Sequence, residues 1–103
     1  MSFGDVRRKG AEILSKMAKI SKDEKTIKAC VEGACMLNET NYEGGDNLLL
    51  QVQDIYLEVA DDPEFGVVNG LHDPICDHLY DNNCNMEKWS ELWNASTEGM
   101  EDE

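Results

Sequence analysis

The residue types with most chemical potential lie in one stretch, Leu71-His-Asp-Pro-Ile-Cys-Asp-His-Leu-Tyr-Asp-Asn-Asn-Cys84, which holds both histidines of the chain and two of its four cysteines. His72, Cys76, His78 and Cys84 are ligand types that zinc accepts, and His72 with Cys76 is an i, i+4 pair. Spacing argues against a shared ion. On a helix that starts at Asp73, Cys76 and His78 project about 200° apart, so they cannot reach one metal without unwinding. Neither Cys30-x4-Cys35 nor Cys76-x7-Cys84 has the close C-x-x-C spacing of structural zinc sites. No metal and no other cofactor is expected. Cys76 is expected to pack inward beside Ile75, Leu79 and Tyr80, with His78 on a flank.

Catalysis finds no better footing. Nothing selects a cysteine to stand beside either imidazole, as a nucleophile would require. With 22 acids some carboxylate pair always falls at catalytic separation, and G-x-x-x-x-G-K, H-E-x-x-H and calcium-loop patterns are missing. An enzyme is not expected.

The aspartates of the same stretch form a pattern. Asp73, Asp77 and Asp81 recur every four residues, a column rising about 6 Å per step on a helix. Asp54, Glu58 and Asp61, followed by Asp62, give a second column, and Glu87 and Glu91 begin a third. Like charges at i, i+4 cost a helix a few tenths of a kcal/mol, which an intervening lysine would relieve. Residues 29–103 contain only one base, Lys88, against eighteen acids, a local balance of −17. Residues 1–28 hold the other eight bases and four acids, a balance of +4. The total is −13.

Closely spaced carboxylates on a rigid scaffold approximate the charge lattice of a nucleic-acid backbone, about one charge per 1.7 Å of duplex axis. The expected function is therefore a small acidic protein that covers a basic, nucleic-acid-binding surface of a partner through Asp54, Glu58, Asp61, Asp62, Asp73, Asp77, Asp81, Glu87 and Glu91. The charge layout is similar in kind to the small acidic DNA-mimic inhibitors that phages and mobile elements direct against restriction, CRISPR or recombination nucleases. That resemblance covers composition, not motif. The alternatives are a regulatory or adaptor domain whose acidity serves only solubility, and a metal- or thiol-dependent protein centred on residues 72 to 84. Direct nucleic-acid binding by Arg7, Arg8, Lys9, Lys16, Lys19, Lys22, Lys25 and Lys28 is opposed by the total charge. These bases are expected to pair with the acidic half, within one molecule or head to tail in a homodimer.

Positioning these columns requires helices, and helical periodicity runs through most of the chain. A first helix is expected over about Asp5 to Ile20, with Val6, Ile13, Leu14, Met17 and Ile20 on its apolar face. Ser21-Lys-Asp-Glu24 reads as a capping box opening a second helix to about Leu37, with Ile27, Cys30, Val31, Ala34 and Leu37 inward. Asn38 to Gly45 reads as a loop, and Asp46 caps a third helix, carrying Leu48, Leu49, Val52, Ile55, Tyr56 and Val59, that stops at Asp61-Asp-Pro63. Asp73-Pro74 reads as the start of a fourth helix running to about Asn82. In a fifth, Met86, Trp89, Leu92 and Trp93 share one face, the two tryptophans as core. The fold class is all-α, a compact bundle of four to five short helices. An α+β fold with a short strand near Phe65 to Val68 is the alternative. One domain over residues 1–97 and an acidic tail over 98–103 complete the organisation. No segment has the length and apolarity of a membrane span or the pattern of a secretory signal, so a cytoplasmic protein with reduced cysteines is expected and the Asn38 and Asn94 acceptor patterns are discounted.

Overall fold

The computed structural model describes residues 2–39 and 46–100. Within them the chain is all-helical: α1 (Phe3–Ile20), α2 (Glu24–Asn38), α3 (Asn47–Asp61), α4 (Val67–Asp81) and α5 (Trp89–Thr97). No strand occurs among the described residues, and Val67 and Val68 are helical. The radius of gyration, 12.7 Å, is close to that of a single compact domain of this length.

α1 is the central element, touching all four other helices. Its start is fixed by a capping box missed in the sequence: Ser2 accepts from the Asp5 amide and the Asp5 carboxylate accepts from the Ser2 amide. Val6, Ile13, Leu14 and Met17 are fully buried and meet Cys30 and Leu37 of α2, Leu48 and Val52 of α3, and Leu71, Ile75 and Leu79 of α4 in one core cluster. Ile20, expected inward, is 44% exposed at the helix end.

The second helix begins later than the capping-box pattern implies. Asp23, not Ser21, is the N-cap, accepting from both the amide and the hydroxyl of Thr26. Ser21 instead caps the end of α1 and accepts from the Asp23 amide. A carboxylate is the stronger acceptor for a helix amide, and burial of Thr26 holds it in place. The inward face is rotated accordingly: Thr26, Ala29, Cys30, Gly33, Ala34 and Leu37 are buried, Ile27 is half-buried and Val31 is 48% exposed. Asp46 caps α3 as expected, accepting from the Leu48 amide. The expected loop over Asn38 to Gly45 lies largely outside the described residues; Asn38 itself ends α2.

α4 departs most from expectation. It starts at Val67, six residues before Asp73, and Pro74 lies inside it. An interior proline removes one hydrogen bond and costs about 3 kcal/mol. Val67, Val68 and Leu71 bury their side chains in the turns ahead of it, and each contributes about 1.5–3 kcal/mol, so burial outweighs the proline. The helix closes on a Schellman motif: Asn83 takes a left-handed φ of 61°, its amide bonds to Tyr80 and the Cys84 amide reaches back to Leu79. α5 starts at Trp89, which leaves Met86 and Glu87 in the preceding turn.

Candidate functional site

The residues that first suggest chemistry are drawn apart. His78 is buried, not on a flank, and its Nε2 lies 2.8 Å from the Ala29 carbonyl oxygen of α2. Since a carbonyl only accepts, Nε2 carries the proton. A Cβ on Gly33 would stand 2.9 Å from that nitrogen, so the glycine makes room for the imidazole. His72 faces α5. The Trp89 indole donates to its Nε2 at 3.2 Å, which leaves Nδ1 to donate to Asp73 at 2.9 Å, and the ring stands edge-on to Trp93 at 4.9 Å. Trp93 is buried and Trp89 half-buried.

The cysteines are all free thiols. Among the described residues no cysteine sulfur is hydrogen-bonded to an imidazole, and Cys84 instead donates to the Lys25 carbonyl. Burial pushes the Cys30 thiol up to about 12, with nearby Cys84 adding to it. Burial also raises Cys84, and burial together with Asp77 and Asp73 raises Cys76. These shifts favour the neutral thiol, the opposite of a reactive cysteine. Cys76 is half-buried and Tyr80 is 71% exposed, so the inward packing expected for the pair is not formed. Among the described residues no three His, Cys, Asp or Glu side chains are grouped to hold a metal.

All nine acids of the expected surface are exposed, and none forms a salt bridge with a lysine or arginine among the described residues. They do not form three helical columns. Asp54, Glu58 and Asp61 share α3, and Asp73, Asp77 and Asp81 share α4, packed beside it. Glu87 precedes α5, so the Glu87–Glu91 column is absent. Two of the nine have structural work. Asp62 accepts from the Glu64 amide in the turn after α3, and Glu91 sits in the first turn of α5, where the helix dipole favours an acid.

Of the other seven, three are placed against local stability. Glu58 and Asp61 occupy the last turn of α3 and Asp81 the last turn of α4, where the negative end of the dipole repels them. Asp73 does not cap α4, because the helix starts earlier.

Two grooves are lined in part by these acids. One of about 410 Å³ lies between α3 and α4, where Gln51, Asp54, Asn69 and Asp73 supply polar lining and Ile55, Phe65 and Pro74 the apolar part. Phe65 is not legible as a lining residue in the sequence, where residues 64–71 read as a connection and a short extended piece at Phe65 to Val68 is only the alternative. The second, of about 630 Å³, places Glu87 and Glu91 near Lys22, Lys88, Trp89 and Leu92. Of these two grooves among the described residues, the α3–α4 one is lined by acids without a base.

The ion pairs of the basic region are local. Arg8–Asp5, Lys9–Glu12, Lys16–Glu12 and Lys28–Glu32 pair within α1 or within α2, and Arg7 donates to the Glu39 carbonyl. Of the expected pairing of this region with the acidic half inside one molecule, only Lys28–Glu32 within α2 occurs among the described residues, and no ion pair reaches α3, α4 or α5. For Arg8, Lys9, Lys16 and Lys28, helical i, i+3 and i, i+4 partners are already within reach.

No helix among the described residues is long and apolar enough to cross a membrane. Comparison with protein-family models, curated proteins and solved structures finds no match for the chain.

Proposed function

We propose that this protein is a small acidic inhibitor that occupies a basic, nucleic-acid-binding surface of a partner protein, with the α3 and α4 acids as its contact surface. Glu87 and Glu91 are peripheral to that surface. The observation that carries the reading is the placement of Asp54, Glu58, Asp61, Asp73, Asp77 and Asp81. They are exposed on two packed helices, no lysine or arginine neutralises them, and three sit where the helix dipole opposes a carboxylate. A surface whose acids serve solubility alone gains from interspersed bases, and has no reason to place acids at helix C-termini. Against a basic groove the same arrangement steers association and releases counterions from the partner's surface.

The bases on α1 and α2 point the molecule, since a basic partner approaches the α3–α4 side and is repelled from the other. The test is capture of partners from the source cell by the wild-type chain and by an Asp73→Lys, Asp77→Lys, Asp81→Lys variant. The expected result is a nucleic-acid-binding protein retained by the wild type at low salt and lost by the variant, whose fold is unchanged by circular dichroism. Equal retention by the two chains overturns the reading.

A further inference from the structure

Of the two grooves, the α3–α4 one combines carboxylates and an apolar part with no base in its lining. It is formed by a specific local arrangement. The turn after α3 is held by the Phe65 amide on the Asp62 carbonyl at 2.9 Å and by the Glu64 amide on the Asp62 carboxylate at 3.0 Å. That turn lays the Phe65 ring over Gly70 so closely that a Cβ there would stand 2.5 Å from the ring. The ring, with Ile55 and Pro74, gives the groove its apolar lining, and Asp54 and Asp73 bring carboxylates from both helices. No base lines it. Asp73 already accepts from His72 Nδ1 through Oδ1, yet its side chain is 89% exposed, so its other oxygen is open to a second donor.

We infer that this groove is a receptor for a single arginine side chain of the basic partner. A volume of about 410 Å³ is near the lower end of sites that hold small ligands, about 300–1,000 Å³, which suits one long side chain better than a peptide segment. The charge of the lining selects a cation, and its apolar part selects one with a flat, weakly hydrated head and an aliphatic stem. Arginine meets both demands: its stem lies along Ile55 and Pro74, its guanidinium stacks on an aromatic face and donates to carboxylates on two sides. Lysine brings a compact, strongly hydrated charge and forfeits the stacking. Glu58, Asp61, Asp77 and Asp81 lie outside the groove and supply the long-range field. The inference rests on the proposed function for the source of the arginine, and on the groove itself for the selectivity.

The probe is a blocked Gly-Arg-Gly peptide, with Gly-Lys-Gly as its control, titrated into the isotopically labelled full chain to about 20 mM, well past a Kd of about 1 mM. Amide resonances are followed. The expected result is saturable shifts centred on Ile55, Phe65 and Gly70, about tenfold weaker binding of the lysine peptide, and loss of the shifts in Asp54→Asn and Asp73→Asn variants, which change exposed positions only. Phe65→Leu is expected to bring the two peptides to equal affinity. Equal affinity for both peptides in the wild type, shifts spread evenly over Glu58, Asp77 and Asp81, or no groove-centred shift overturns the inference. If the groove fails this test while the chain still displaces nucleic acid from its partner, only the arginine site falls. If the arginine peptide binds but displacement fails, the inhibitor reading falls and the receptor stands.

Discussion

His78 shows how far a residue's chemistry is set by what surrounds it. Its imidazole spans from α4 to the Ala29 carbonyl, over the gap that Gly33 leaves, and becomes a structural donor. Nothing in the spacing of residues 71–84 reveals that acceptor 49 positions away, although the small residues Ala29, Gly33 and Ala34 mark a face that another element approaches closely. Cys30, on the same face, has a testable consequence. Its thiol titrates near 12 in the folded chain against 9.0 for an ordinary thiol. Because the folded state holds the proton more tightly, this contribution to stability is complete below about pH 9 and is lost as pH rises from about 9 towards 12. The stability difference between wild type and Cys30→Ala, measured by denaturant unfolding, is therefore expected to shrink between pH 8.5 and pH 11 (about 2.5 units). A constant difference would contradict the burial of that thiol in the folded state.

At the scale of the elements, the apolar periodicities were legible and the boundaries less so. α3 was readable at both ends because Asp46 and the Asp61-Asp-Pro63 stop act locally. α4 was not, because Asp73-Pro74 carries a strong local start signal that only the burial of Val67, Val68 and Leu71 overrides. The capping box expected at Ser21-Lys-Asp-Glu24 does not form: Ser21 accepts from the Asp23 amide, and Asp23, two residues further on, caps α2 by accepting from the Thr26 amide. The acidic ends of α3 and α4 carry a prediction at this scale. Asp61→Lys and Asp81→Lys each place a cation at the negative end of a helix dipole, and each is expected to raise stability by about 0.3–1 kcal/mol, read as a higher midpoint of urea unfolding. The same two changes are expected to weaken partner binding. A gain in stability coupled to a loss of binding is what a surface kept for function at a cost to folding produces. Destabilisation by either change would mean that the carboxylate has a structural partner.

On the scale of the whole molecule, the chain is polarised. Its bases pair along α1 and α2, while the α3–α4 side presents carboxylates with no compensating base. That polarity was legible in the order of charges along the sequence, since residues 1–28 form α1 and the start of α2. The groove was not, because it depends on Phe65 folding back onto Gly70 across a turn whose residues look like a plain connection. Polarity also predicts how binding responds to salt: association steered by opposed surface charges weakens as ionic strength rises and screens them.

The decisive measurement is a competition titration, with the captured partner loaded on labelled duplex DNA and this protein added across a salt series. Stoichiometric displacement of the DNA, steepest at low salt and absent for the Asp73→Lys, Asp77→Lys, Asp81→Lys variant, is the predicted result. A ternary complex in which the partner keeps its DNA while binding this protein would contradict the claim that the acidic face takes the place of nucleic acid.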